Sequence, residues 1–381
     1  MVPELPQEII DYILDLVEHQ HNSKTLQSCA LVARSFLPTS RKRIFSSVKL
    51  RLQKGFYRVR RFIRLSKHTP HLFLLVASLD ISLHDLRWNH HTIHVFFREF
   101  LARLTNLRAV SVILVNMAPW STYSPVTHRV LSDALTLPAV TSVALGYFMF
   151  NNPSQLEELT ENCTEISFKR TTIDVIGPLG SWATQSLKRL RVDPANEGIF
   201  SKLASLGRWR ALKSLIVDSY AYMATNQHHL QALLDDCTEL EECYIRLHLS
   251  RGDGVHFNLS AQTKLRTLGI LAKSEYFDTV LDIISAAPDP SPIEHVAVGL
   301  MFSSGYIFGQ LAAVSLPPLD ELLSRPKFVG RLQTVELVFV GLLPAVRSQD
   351  TEGFRRALPR LKESGMLRVR FEDDERGFLP S

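Results

Sequence analysis

The sequence predicts an α/β chain in which a short all-helical unit precedes a long run of strand-and-helix repeats, stacked as a solenoid with a parallel sheet. Three observations carry that expectation. A trio of apolar residues at relative positions 1, 4 and 6 recurs eleven times, the trios return at nearly regular intervals, and apolar residues at helical spacing lie between several of them.

The first residues read as a helix. Ile9 and Ile13, with Ile10, Leu14 and Val17, follow the i, i+4, i+7 spacing of an amphipathic helix, and Pro6 stands where a first helical turn tolerates a missing N–H. After a polar break at His19 to Ser23, a second apolar series runs through Leu26, Cys29, Ala30, Val32 and Ala33, and a third short segment spans Pro38 to Phe45. Three small helices bury too little apolar surface to be comfortable alone, so the unit wants a partner.

Thirteen Lys or Arg residues and no acid lie between His19 and Leu79, from Lys24 through Arg58, Arg60, Arg61 and Arg64 to Lys67, so a net charge of +5 leaves the remainder at −8. Phe56, Val59, Phe62 and Ile63 alternate with these arginines at helical spacing, and Gln53 to Ser66 therefore reads as a basic linking helix with a solvated face that stops near Thr69-Pro70. Nucleic-acid binding through this stripe is the weaker reading, because no nucleic-acid motif accompanies the charge.

The repeats follow. The trios are Val76/Leu79/Ile81, Leu107/Val110/Val112, Val140/Val143/Leu145, Cys163/Ile166/Phe168, Leu187/Leu190/Val192 and Leu212/Leu215/Val217, then Leu240/Cys243/Ile245, Leu265/Leu268/Ile270, Ile293/Val296/Val298, Leu332/Val335/Leu337 and Met366/Val369/Phe371. At 45% hydrophobic residues about one start in eleven would match by chance, so the spacing decides: first positions differ by 31, 33, 23, 24, 25, 28, 25, 28, 39 and 34. Helical patterns fall between them at Ile93 to Leu104, Leu230 to Leu234 and Phe277 to Ile284, with weaker ones at Ile199 to Leu206 and Leu319 to Leu323. Asn116 to Val126, Arg251 to Gly254, Pro288 to Pro292 and Ser315 to Pro318 read as loops, and Glu372 to Arg376 as a surface tail.

Two resemblances attach to these residues. Leu5-Pro6, Glu8-Ile9, Ile13-Leu14 and Val32-Ala33-Arg34-Ser35-Phe36 resemble the F-box, the adaptor-docking module of cullin-RING ubiquitin ligase receptors, with Ala33 where cysteine is common and Phe36 where tryptophan is common. The strand-and-helix run resembles the leucine-rich-repeat region that follows the F-box in proteins common in fungi, although the Asn or Cys of position 9 is replaced by Ala195, Tyr220, His248 and Lys273. The resemblance implies an F-box at 3–48, a basic linking helix at 49–71, an irregular leucine-rich-repeat α/β horseshoe at 72–371 and an acidic tail at 372–381. It also implies that Leu5, Pro6, Ile9, Ile13, Leu14, Leu26, Val32 and Phe36 bind a Skp-type adaptor and, through it, a cullin, while the repeats hold a protein substrate. An interaction scaffold that uses the repeats without assembling a ligase is the alternative.

No phosphate loop, H-E-x-x-H, G-x-S-x-G or glycine fingerprint is present, so a non-catalytic chain without cofactor is expected. Cys29, Cys163, Cys237 and Cys243 lack metal or redox spacing and read as packing thiols. His90-His91 and His228-His229 point about 100° apart on a helix and make poor metal sites, so no metal is expected. With Pro3, Glu4, Glu8 and Asp11 spoiling any secretory segment and no apolar run of about 20 residues, the expected location is cytoplasmic or nuclear, with no membrane partner.

Overall fold

A computed structural model describes residues 6–19, 23–32, 34–52, 61, 64–65, 68–83, 97–151, 153–160, 162–173, 186–194, 198–206, 209–218, 223–247, 256–302, 316–341, 356–372 and 378–380. Two compact units divide the chain, one holding residues 1–149 and 158–163, the other 150–157 and 164–381.

The first unit opens with helices α1 (Gln7–His19), α2 (Ser23–Val32) and α3 (Leu37–Ser46). Ile10, Leu14 and Leu26 form their small core, with Cys29, Phe36 and Ile44 packed against it. The Gln7 amide donates to Thr39 Oγ1 at 3.2 Å and the Arg43 guanidinium donates to the Asp11 carbonyl at 3.3 Å, which ties α1 to the end of the unit. Strands β1 (Ser47–Leu52), β2 (Ser78–Leu83), β3 (Ala109–Pro119) and β4 (Ser142–Phe150) then pair in parallel in sequence order.

Two expectations change here, and a third is only partly described. Ser47–Leu52 is a strand, so the helical unit ends at Ser46 and the repeats begin before the linking segment; Phe45, Val48 and Leu50 supply a twelfth trio whose alternate residues Lys49 and Arg51 had read as part of the basic stripe. Most of the expected linking helix lies outside the described residues; Arg61, Arg64 and Leu65 within it are helical, and a 3-10 turn at 70–75 follows its expected end. Asn116 to Val126 is not one loop: β3 continues to Pro119, and Ser124 caps helix α4 (Pro125–Leu135) by accepting from the Thr127 N–H at 3.2 Å. Buried Trp120 stacks on His128 with ring centroids 4.6 Å apart, and His128 Nε2 lies 2.7 Å from the Trp120 carbonyl.

The second unit holds β5 (Glu165–Ile173), β6 (Arg189–Pro194), β7 (Ser214–Asp218), β8 (Glu242–Arg246), β9 (Thr267–Lys273), β10 (His295–Met301), β11 (Thr334–Val340) and β12 (Leu367–Glu372), again parallel and in sequence order. Positions 4 and 6 of all eleven trios fall on strands, with position 1 just before each, and in β5 to β11 every residue at positions 4 and 6 is buried. The last strand is half-buried, as an edge permits. The residue at position 2 of each repeat donates its N–H to its counterpart one repeat earlier, from Lys188 to Thr164, Lys213 to Lys188, Glu241 to Lys213, Arg266 to Glu241, Glu294 to Arg266 and Gln333 to Glu294, all at 2.8 Å. One carbonyl per repeat thus fixes the register of the next.

Helices connect the strands: α5 (Pro153–Thr160), α6 (Gly198–Leu206), α7 (Met223–Asp236), α8 (Phe277–Ser285), α9 (Leu316–Leu323) and α10 (Pro359–Glu363). The α6 helix packs on β5 and α7, burying Ile199, Phe200 and Leu203; α7 buries Leu230, Leu233 and Leu234. Pro317 and Pro318 sit in the first turn of α9 rather than in a loop, because a first-turn proline has no N–H to lose. Asp320 is buried because its carboxylate accepts from the N–H groups of Arg360 and Leu361, at 3.2 and 2.9 Å, capping α10 from the preceding repeat. No helix among the described residues is long and apolar enough to cross a membrane.

Candidate binding surfaces

The small helical unit sorts the expected adaptor residues into two groups. Leu14 is fully buried and Leu26 nearly so, both inside the cluster that joins α1 and α2, and half-buried Phe36 packs against the same cluster. These side chains hold the helices together and have little surface to offer another chain. Pro6 and Ile9 are exposed and Ile13 is half-buried, and the Pro6 carbonyl accepts the first N–H groups of α1 from Ile9 and Ile10 at 3.1 and 3.2 Å. Leu5 and the Val32 side chain lie outside what is described.

Sequence reading missed two large apolar residues on the outside of the same helices. Tyr12 is 62% exposed and Leu31 is 87% exposed, beside Ile9 at 45%. Tyr12 stands three residues after Ile9, one turn along the same helix, so α1 presents apolar surface outward as well as inward. The signal was available in an apolar helix too well furnished for one buried stripe.

In the second unit, the strand residues between the trio positions form the other face of the sheet. Most at position 3 are polar or charged, as in Glu165, Arg189, Ser214, Glu242, Thr267, His295 and Thr334. Position 7 divides sharply. Asp193, Asp218 and Arg246 occupy it in β6 to β8; Leu271, Gly299 and Val338 occupy it in β9 to β11.

The charged half is an internal network. The Arg246 guanidinium donates to Asp218 Oδ1 at 2.7 Å, both side chains nearly excluded from water, and Arg191 reaches Asp218 Oδ2 at 3.5 Å. Burial, with the neighbouring Asp218 carboxylate second, pushes Asp193 up to about 6 against the opposing pull of Arg170, Lys169 and Arg246. Across the parallel ladder, Asp218 and Arg246 are direct partners, so the pair also ties β7 to β8.

The apolar half is a seat floored by two glycines. A Cβ on Gly269 would fall 2.2 Å from the Tyr244 ring, and one on Gly299 would fall 2.5 Å from Leu271 and 2.8 Å from the Phe378 ring. Glycine inside a strand marks such a close approach. Ile216, Leu271, Val338 and Val340 cluster with Phe378 and Leu379, and Tyr244, Ala297 and Met301 pack around them. The C-terminal segment is therefore not wholly a surface tail: Phe378 and Leu379 are buried on the sheet. A cleft of about 450 Å³ adjoins, sharing Tyr244 and Ala297 and lined further by Thr267, His295, Gln333, Thr334, Glu336 and Arg368.

Burial raises the thiols of Cys163 and Cys243, to about 11 and about 12, and raises Cys237 as well, so all three stay protonated at neutral pH and pack rather than react. Among the described residues no group of three His, Cys, Asp or Glu side chains is placed to hold a metal. His90-His91 and Arg251 to Gly254 lie outside the described residues.

No family model and no curated protein matches this chain. Among solved structures, the chain is similar to one of a TLR13–ssRNA13 complex at 13% identity and a TM-score of 0.39, over 87% of this chain and 47% of that one. The chain thus spans about half the length of that protein, and a likeness this loose assigns it no partner.

Proposed function

We propose that the chain is the substrate-recognition subunit of a Skp-cullin-F-box ubiquitin ligase, its α1–α3 unit docking a Skp-type adaptor and its leucine-rich-repeat-like strands holding a protein substrate. The observation that carries this reading is the outward apolar surface of the helical unit: Ile9, Tyr12 and Leu31 remain exposed after the unit has filled its own core with Ile10, Leu14 and Leu26. Exposed large apolar residues on a small module are spare binding surface, and aromatic and aliphatic anchors carry most of an interface's energy.

In this reading the chain does no chemistry. It raises the effective concentration of a bound substrate near a ubiquitin-loaded conjugating enzyme, and the catalytic groups belong to other subunits. The repeats suit that role because each strand contributes side chains to one continuous sheet face.

Co-purification of the full chain with a Skp-type adaptor tests it. Stoichiometric capture is expected, and the double substitution Ile9→Asp with Tyr12→Asp is expected to abolish it while the chain stays folded. A folded wild-type chain that ignores the adaptor overturns the ligase assignment and leaves the repeats as an interaction scaffold.

A further inference from the structure

The other strand faces of the second unit show why the seat beneath Phe378 is unusual. On β5 to β11 the face opposite the buried trio residues carries a polar or charged residue at position 3 of every strand. Here Ile216, Leu271, Val338 and Val340, on the alternate strands β7, β9 and β11, break that pattern, and the side chains covering them are those of Phe378 and Leu379, two consecutive residues outside any strand or helix. Phe378 meets Tyr244 edge to face, with ring centroids 6.4 Å apart and planes at 79°. Among the described residues, no backbone hydrogen bond joins 378–380 to the sheet.

We infer that this sheet face is a peptide-binding groove, that Phe378-Leu379 is its internal occupant, and that the ligand it admits is an extended protein segment presenting an aromatic residue followed by an aliphatic one. The inference deepens the proposed reading that the repeats hold a protein, and rests on it. Three features fit that ligand. Gly299 leaves depth for an aromatic ring, since any larger residue would occupy the place of Phe378. Leu271, Val338 and Val340 offer an aliphatic floor for the following side chain. The adjoining cleft offers His295, Gln333, Thr334, Glu336 and Arg368, polar groups able to pair with the backbone or flanking side chains of a peptide longer than two residues.

An occupant with no backbone hydrogen bond to the sheet among the described residues opens at lower cost than the sheet beneath it unfolds. Incoming ligand must displace it, so apparent affinity falls by the fraction of chains already open. The groove therefore sets a threshold as well as a specificity.

A fluorescently labelled peptide of residues 372–381 serves as the probe, titrated into the full-length chain. Binding to the double variant Phe378→Asp with Leu379→Asp is expected at least tenfold tighter than to wild type. Replacing Phe and Leu by Ala in the peptide should abolish it, and adding Gly299→Ala to the double variant should weaken it about tenfold. Equal binding to wild type and variant, or none to a variant whose circular dichroism and melting match the wild type, overturns the inference.

Should the double variant fail to fold, chymotrypsin cleavage after Phe378 in the single variant Gly299→Ala decides: faster cleavage there with unchanged cleavage in β9 to β11 supports the seat, and unchanged cleavage throughout overturns it. Adaptor capture is read separately. Peptide binding without capture sinks only the ligase assignment, and capture without peptide binding sinks only the groove.

Discussion

The α1–α3 helices and the sheet face of the second unit both carry apolar residues beyond what their own packing needs, and they treat them oppositely. The helices leave Ile9, Tyr12 and Leu31 in water; the sheet covers Ile216, Leu271, Val338 and Val340 with Phe378 and Leu379 from the same chain. Surplus apolar surface is a cost in either place. Left open, it is ready for any complementary partner; covered, it must first be released. The difference separates a constitutive docking surface from a guarded one.

The largest effect belongs to a residue that serves packing rather than docking. Leu14→Ala is expected to destabilise the helical unit by about 2–5 kcal/mol, the usual cost of emptying a filled leucine site, as read by urea unfolding. Adaptor binding would then fail only as the unit unfolds. Loss of binding with unchanged stability would place Leu14 at the interface and erase the distinction between inner and outer apolar faces.

Next in size is Asp193→Asn, in the charged half of the sheet face. Because the folded chain holds this carboxyl at about 6, above its ordinary 3.8, the folded state binds the proton more tightly than the unfolded state does. The resulting destabilisation is absent well below pH 3.8, grows between there and about pH 6 and is complete above it. The variant should therefore gain up to about 2 kcal/mol at about pH 8 and nothing near about pH 2.5 in paired unfolding curves. A gain that does not vary with pH would show that lost charge is not its cause.

Phe378→Ala should cost only about 1 kcal/mol of global stability, although a core phenylalanine ordinarily costs about 3–5. The segment can detach before the sheet unfolds, so most of its burial is not counted in global unfolding. A full-sized loss would make the segment part of the core and not a removable cover. Smallest of all, Ile9→Asp should shift stability by less than about 0.5 kcal/mol, since its side chain is already exposed, while adaptor capture falls by about 100-fold.

Legibility followed the same division. Eleven strands were readable because positions 4 and 6 are buried in every repeat but the last, where they are half-buried, and a repeated environment writes a repeated pattern. The β1 strand escaped because Lys49 and Arg51 on its open face outweighed Val48 and Leu50 on its buried one. The α4 helix escaped because Thr127 takes an apolar place in its stripe, buried and bonded to Ser124. The helical unit was legible as three helices, but which apolar residues fill its core and which face outward was not, since amphipathic spacing marks a stripe without saying what covers it.

By itself the amino-acid sequence determined the parallel strand order, the helices at the strongest apolar patterns and the three-helix start, because each depends on periodicity within one or two repeats. Only the tertiary structure decided that Asp320 caps a helix one repeat on, that Gly269 makes room for Tyr244, and that Gly299 makes room for Phe378. Those contacts join residues remote in the chain. A glycine in a strand announces that something approaches closely, and the chain must fold before it is settled what.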